Sequence, residues 1–380
     1  MDFELSKSYL LKQKLYRSFA ESEVRPLARD MDEVEEYSME LLKKLQKCGF
    51  LGIQFPKEYG GAGSDNLSYA LCIEEMSKQD ASTGVTISVH ASLCCAPILA
   101  FGTQEQKEVF LRPLIDGRKV GCFGLTEPNA GSDAGGQQSK AVLEDGWYTI
   151  NGSKVFTTNS GFADTFLMFA LTDKSLGTRG ISAFIIPRDT PGLGVSPNIP
   201  RMGIRAASNC VVTYDSVRIP ESYRLGREGE GFKIAMRALD GGRIGIAAQS
   251  VGIAQGALNE AIKYVGERKQ FGKNIGAFQN TQFKIAEMQT KIDAARLLVW
   301  RAAVAKDKGG QYASHAAMAK LYASDVANDV TRGSLQLFGG YGFSREYPVE
   351  RMMRDAKITE IYEGTSEVMK MVISGAMKIK

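Results

Sequence analysis

Trp147-Tyr148-Thr149-Ile150-Asn151-Gly152-Ser153-Lys154-Val155-Phe156-Thr157-Thr158 is the run that decides how this chain is organised. β-Branched and aromatic residues fill both halves, and Asn-Gly between them is the strongest short hairpin signal. The expectation is two strands joined at Asn151-Gly152. Phe166 to Leu171, Ile181 to Ile186 and Cys210 to Tyr214 are further β-rich runs, so a β segment extends over about residues 121–228.

On both sides of that segment the apolar spacing becomes helical. Leu41, Leu42, Leu45 and Cys48 fall on one helix face, and Phe50 to Ile53 with the glycines of Tyr59-Gly60-Gly61-Ala62-Gly63 end that pattern. After Gly231, Ile285, Met288, Ile292, Ala295 and Val299 step by three and four into a continuous stripe. Small residues crowd Ile244 to Ala257, which predicts a helix in close contact with its neighbours. Helices, then strands, then helices indicate an α+β multidomain fold rather than alternating βαβ units. The expected divisions are 1–120, 121–228 and 229–380.

Composition narrows the chemistry. The 380 residues are 44% hydrophobic, ample for a large core. Lys and Arg number 47 against 43 Asp and Glu, a formal +4 that does not call for a nucleic-acid partner. No stretch approaches the ~18 consecutive apolar residues of a membrane span. Met1-Asp2-Phe3-Glu4 lacks a secretory layout, so a cytoplasmic microbial protein is expected, and a processed mitochondrial-matrix chain would read the same way. The six cysteines form no CxxC pair and read as small buried hydrophobes. With only His90 and His315, a His-rich metal site is excluded and a Ser-His-Asp triad is disfavoured; no metal is expected. Neither G-x-G-x-x-G after a strand nor a P-loop is present. The chemistry must rest on carboxylates, backbone dipoles or a cofactor.

Four segments stand out from core-building sequence. Phe123-Gly124-Leu125-Thr126-Glu127-Pro128-Asn129-Ala130-Gly131-Ser132-Asp133 joins an apolar strand to a Gly- and hydroxyl-rich loop. It reads as a surface turn, or as backbone able to approach a polar ligand. Asp240-Gly241-Gly242-Arg243 places two glycines inside a helical pattern, at roughly 1 kcal/mol each against Ala; either a neighbouring helix or a ligand must come close. Arg268-Lys269-Gln270-Phe271-Gly272, with Phe278-Gln279 and Gln336-Leu337-Phe338-Gly339-Gly340-Tyr341-Gly342, suits phosphate binding or, for the last, a helix C-terminus. Ile361-Tyr362-Glu363-Gly364-Thr365-Ser366-Glu367 holds a carboxylate among apolar residues and glycine. It reads as a desolvated base, as a helix cap at Thr365 or Ser366, or as both.

Together these segments resemble the acyl-CoA dehydrogenase family, most closely its short-chain (butyryl-CoA) branch. The resemblance rests on Leu125-Thr126-Glu127-Pro128 through Gly131-Ser132-Asp133, Asn151-Gly152-Ser153-Lys154, Arg268 with Gln270-Phe271-Gly272, Gly339-Gly340-Tyr341-Gly342, and Ile361 to Thr365. It implies N-terminal helices, a central β-barrel-like domain and a C-terminal four-helix bundle, assembled as a homotetramer, a dimer of dimers. It implies FAD between the β domain and the C-terminal helices. Phe123, Leu125, Thr126 and Ser132 would follow the flavin edge, Ser132 also touching substrate. Phe156, Thr157 and Thr158 would contact the ring; many relatives have Trp at the first of these. Arg268, Gln279, Gln336, Leu337, Phe338, Gly339 and Gly340 would hold the pyrophosphate and adenosine, some of them across a subunit boundary. Thr365, Ser366 and Glu367 would complete the cofactor site. Asp240, Gly241, Gly242, Arg243 and Gly364 would line the acyl-CoA site.

By the same resemblance, Glu363 removes the α-proton of the acyl thioester, the β-hydride passes to the flavin, and electrons go on to an electron-transfer flavoprotein. Some relatives carry the base just before the residue matching Arg243. That position is Gly242 here and cannot serve. The glutaryl-CoA branch uses an Arg in the stretch matching Ala81 to Ala91, which here holds no Lys or Arg, only His90. The alternatives left open are a branched-chain dehydrogenase, a specialised 2-enoyl-CoA reductase and, last, a non-catalytic nucleic-acid-binding relative.

Overall fold

The computed structural model describes residues 4–378. The N-terminal part comprises α1 (Lys7–Phe19), α2 (Ala28–Val34), α3 (Met39–Lys47), α4 (Asn66–Ser77), α5 (Ala81–Ser88), α6 (Ala96–Phe101) and the short α7 (Gln104–Gln106) and α8 (Arg112–Ile115). Side-chain caps start four of them, the short α7 through Thr103, which accepts from the Gln106 N–H (3.2 Å). Ser38 accepts from the Leu41 N–H (3.2 Å), Asp65 from Ser68 (2.7 Å) and Asp80 from Thr83 (2.7 Å). Leu41, Leu42 and Leu45 are buried as their spacing predicts. Cys48 is not: it follows the last turn of α3 and is exposed, while the other five cysteines are buried.

Residues 81–101 form one run through α5, a π-helical turn at Val89–Cys95 and α6. By length and composition this run is apolar enough to cross a membrane, yet 78% of its 18-residue window is buried inside the protein. Counting consecutive apolar residues passed over it because Ser, Thr and His interrupt the run. It is a core helix, packed between the sheet and the long helices that follow.

The central part is one sheet of β1 (Gly121–Gly124), β2 (Lys140–Glu144), β3 (Trp147–Thr158), β4 (Thr165–Leu171), β5 (Ile181–Pro187), β6 (Leu193–Asn198), β7 (Asn209–Pro220) and β8 (Arg224–Leu225). The order is β6-β7-β3-β2-β4-β5-β8, with β1 parallel to β4. The expected hairpin at Asn151-Gly152 is absent, because β3 runs straight through it. The β2–β3 turn is at Asp145-Gly146, where φ values of 50° and 76° supply the left-handed pair a two-residue turn needs. Asn151 and Gly152 instead mark a bulge against β7. Gly152 is required there: a Cβ would come within 2.8 Å of the Ser139 Cα. The Asn151 side chain accepts from the Ser216 N–H (2.8 Å) across the bulge.

The C-terminal part consists of α9 (Gly231–Glu267), a small hairpin of β9 (Lys269–Gln270) and β10 (Lys273–Asn274), α10 (Gln279–Asp307), α11 (Ala313–Phe338), α12 (Val349–Lys357) and α13 (Ser366–Ala376). Met288, Ile292, Ala295 and Val299 are buried along α10, with Ile285 at the edge of the core. Helix α9 is the spine, touching α4, α5, α10, α11 and α12. Its small residues permit this: a Cβ at Gly252 would stand 2.4 Å from the Glu74 carbonyl oxygen of α4.

Helix α12 joins all three parts. Arg354 forks onto Asp32 of α2 (3.1 and 2.6 Å) and onto Glu350 (2.8 and 3.0 Å). Arg351 donates to the Gln79 carbonyl (2.8 Å), and Asp355 accepts the Ile204 N–H from the sheet domain (2.5 Å). One short turn beyond α12, Ile358–Glu360, lies Glu363.

Candidate active site

Glu363 sits in a turn that its own sequence makes costly. Its φ is +53° and that of Gly364 is +103°, two successive left-handed residues of which only the second is glycine. Neighbouring helices hold the turn. Arg243 Nε of α9 donates to the Glu363 carbonyl (3.2 Å), and Lys320 Nζ of α11 to the Gly364 carbonyl (2.7 Å). The Tyr362 hydroxyl donates to Gln249 Oε1, whose amide in turn donates to the Ala81 carbonyl (2.8 Å). Beyond the turn, Thr365 caps α13 by accepting from Val368 (3.3 Å). The capping reading of this segment is met by Thr365, and it leaves the Glu363 side chain free for another role.

The Glu363 side chain is left with unmet bonding capacity. The residue as a whole is only partly buried, but both carboxylate oxygens are shut off from solvent and neither has a hydrogen-bond partner. The oxygens lie against Gly242 and Leu93. A Cβ at Gly242 would stand 2.1 Å from Glu363 Oε2 and 2.9 Å from Leu93 Cδ2. The adjacent glycine faces elsewhere: a Cβ at Gly241 would stand 3.0 Å from Lys306 Nζ. Burial pushes the Glu363 carboxyl up to about 8, while the charges of Arg243 and Lys320 pull it down. Asp240 ties Arg243 in place (2.7 Å). Leu93 reaches this site, while the two cysteines that follow it do not. Cys94 packs against Gly121, and Cys95 against His90, which accepts the Gly121 N–H (3.0 Å).

A second group of expected residues lies at the end of β1 and β3. Phe123 and Leu125 are buried, Phe123 edge-on to Phe169, so their side chains belong to the core. Thr126 accepts the Val155 N–H (2.8 Å), and Ser132 is exposed. Lys154 locks this loop to the sheet. It has no exposed surface and bonds Glu127 (2.7 Å), Gln137 (2.8 Å) and the Leu125 carbonyl (3.2 Å). Two residues on, Phe156 has φ +55° at a second β3–β7 register shift, and its ring is 60% exposed. A bulge that turns an aromatic ring outward is a means of presenting it to something flat. Beside it Thr157 Oγ1 is buried without a partner, and so is Ser366 Oγ on α13. Thr158 accepts from Asn209 (3.1 Å).

A third group surrounds an open cavity of about 640 Å3. Arg268, Gln336, Leu337, Phe338, Gly339 and Gly340 all line it, with Tyr264 and Tyr341. Gly339 ends α11 at φ +61°, so helix terminus and binding wall coincide. Gln279 does not join this wall; it is exposed at the start of α10, and so is Glu367 on α13. The residues present fit a flavin dinucleotide: an exposed ring, two unsatisfied buried hydroxyls and a cavity with an arginine and two glycines.

Sequence reading missed two contributors, Lys320 and the Tyr362–Gln249 link. It also saw Glu127 and Lys154 in separate motifs without pairing them.

Comparison with known proteins agrees with this geometry. Residues 9–118, 122–217 and 229–378 match the N-terminal, middle and C-terminal domains of acyl-CoA dehydrogenase. The chain is 54% identical over 375 residues to an acyl-CoA dehydrogenase, short-chain specific, of Clostridium acetobutylicum, covering 99% of each. It superimposes with a TM-score of 0.97 on butyryl-CoA dehydrogenase from Megasphaera elsdenii at 49% identity, covering 99% of this chain and 100% of that one. A chain in a structure described as the electron transferring flavoprotein of Acidaminococcus fermentans matches with a TM-score of 0.99 at 50% identity, covering 100% of both. With all three parts matched and identity this high, the chain belongs to the acyl-CoA dehydrogenase family of flavin-dependent oxidoreductases.

Proposed function

We propose that this protein interconverts a short-chain acyl-CoA and its 2-enoyl-CoA, with Glu363 as the base. One observation carries the reading: Glu363 presents two buried oxygens with no hydrogen bond, on a turn fixed from both sides. Such a carboxylate has no bond to give up when it accepts a proton, and burial brings its affinity for that proton close to neutrality. Gly242 supports the same assignment, since the space a side chain would take there is filled by Glu363. The Glu363 N–H is the proposed donor to the thioester oxygen as charge develops on it. Arg243, itself held by Asp240, keeps the turn from moving with the substrate.

FAD is the proposed cofactor. Thr157, Ser366 and the face of Phe156 would meet its ring, and Arg268 with Gln336 to Gly340 its dinucleotide end. When bound, it supplies the acceptor for the hydride leaving the β-carbon. Gln279 lies outside its own chain's cavity, beside an exposed Phe271 and Phe283, and we assign it to a neighbouring subunit's cofactor in a homotetramer. An electron-transfer flavoprotein is the proposed electron partner, a reading supported by the Acidaminococcus structure. The reverse reduction would use the same residues, Glu363 then returning the proton.

Anaerobic titration with butyryl-, isovaleryl- and longer acyl-CoAs, following flavin absorbance, tests this. Butyryl-CoA should bleach the flavin, and Glu363→Gln should bind cofactor and substrate yet lose reduction by orders of magnitude. Absence of bleaching by every thioester would end the dehydrogenase reading, and near-normal reduction by the variant would end the assignment of the base.

A further inference from the structure

Lys320 is a lysine without exposed surface, in the N-terminal third of α11. An ammonium out of water normally finds a carboxylate. Among the described residues none comes within 4.0 Å, and its ammonium donates instead to the Gly364 carbonyl at 2.7 Å. Arg243 makes the matching bond one residue earlier, to the Glu363 carbonyl. Two buried cations thus grip two consecutive carbonyls of a doubly left-handed turn, and the carboxylate between them touches neither. Holding the turn alone would need only a neutral donor.

We infer that Lys320 is the positioning residue of the base: it fixes the Gly364 carbonyl and brings a buried ammonium beside a carboxylate that has no hydrogen bond of its own. This rests on the reading of Glu363 as the base. The charge opposes the desolvation that drives Glu363 towards its neutral, inactive form. The groups that face Glu363 are Arg243 on α9, Lys320 on α11, Tyr69 on α4 and the adjoining Tyr362. Lys320 in turn feels Glu363 and Arg243, then Glu360 and Asp325. Arg243 pulls Glu363 down more strongly than Lys320 does, but Arg243 is ion-paired with Asp240, whereas Lys320 has no ion pair among the described residues. Burial holds Lys320 down to about 8, so most of its charge is present at pH 7 and is lost over the same range in which Glu363 ionises.

The test is the pH profile of flavin reduction by butyryl-CoA in Lys320→Met, Lys320→Gln and Lys320→Arg. The wild-type rate should rise with pH as Glu363 ionises, and Glu363→Gln should abolish that limb; if it does not, the reading of the base fails, independently of Lys320. Given a limb that belongs to Glu363, Met and Gln should displace it upward by roughly one pH unit or more, about a tenfold loss below the limb, while Arg leaves it in place. Gln keeps a donor for the Gly364 carbonyl without the charge, so it carries the test even if Met fails to fold. The carboxyl band of protonated Glu363, read by infrared difference against Glu363→Gln, should move in the same direction without depending on turnover. A rate lowered equally at every pH, with limb and band unmoved, would reduce Lys320 to a packing residue and overturn the inference.

Discussion

Replacing Glu363 with Gln should remove activity and, above mildly acidic pH, stabilise the protein. The carboxylate is buried without a hydrogen bond, so the folded state prefers it protonated. Its proton affinity moves from 4.5 to about 8 on folding. A group raised in this way contributes its full stability below the unfolded value and loses it as pH climbs through the folded one. Wild-type stability should fall relative to the variant from about pH 4.5 to about pH 8, approaching a difference of about 4 kcal/mol at the top of that range. With roughly 2.1 cal/mol/K of unfolding entropy per residue over 380 residues, that corresponds to about 5 °C in Tm. Calorimetry of both proteins at about pH 5 and about pH 9 reads the gap. It should be small at the lower pH and wide at the higher. An equal gap at both would mean that water or a partner solvates the carboxylate after all, and the argument that burial poises the base would collapse.

Lys154→Met leaves the Glu127 carboxylate buried without its cation, and urea unfolding should show a loss of about 3–5 kcal/mol. The loop proposed to follow the flavin edge loosens with it, so the variant should also release cofactor on dialysis, seen as lost visible absorbance. Gly242→Ala puts a methyl 2.1 Å from Glu363 Oε2 and must push the carboxylate aside; stopped-flow reduction should slow by roughly 100-fold with cofactor content retained. Burial pushes the Asp355 carboxyl up to about 7, so the wild type should lose stability as pH rises from its unfolded value of 3.8 through 7. Asp355→Asn keeps an acceptor for the Ile204 N–H and should show no such decline in guanidinium midpoints measured across that range.

Much of this was legible in the sequence for reasons of period and chemistry. The stripe on α10 and the β-branched runs of the sheet obey local rules, and the structure follows them. Asn151-Gly152 misled because the dipeptide that makes a turn also makes a bulge, and the choice was set by the backbone of Ser139 and by a competing Asp145-Gly146 nearby. Glu363 could be singled out because its neighbours are apolar and glycine. Lys320 could not: between Ala319 and Leu321 it looks like any helical lysine, and its partner is 44 residues away. Lys154 and Glu127 are separated by 27 residues in the same way. Periodicity reports which face is buried, but not which charged side chain crosses that face to meet a carbonyl on another element.

The contact between Gly242 and Glu363 also constrains how such a protein can change over generations. Some members of the family carry their base at the position of Gly242. An acid introduced there while Glu363 remains would set two carboxylates in one dry pocket, where they would compete for a single proton. On the proposed assignment, losing Glu363 first leaves a protein with no base at all. Each order passes through an impaired intermediate, so the location of the base is a coupled character of the lineage rather than a freely drifting site, and a laboratory relocation must alter both positions in one step.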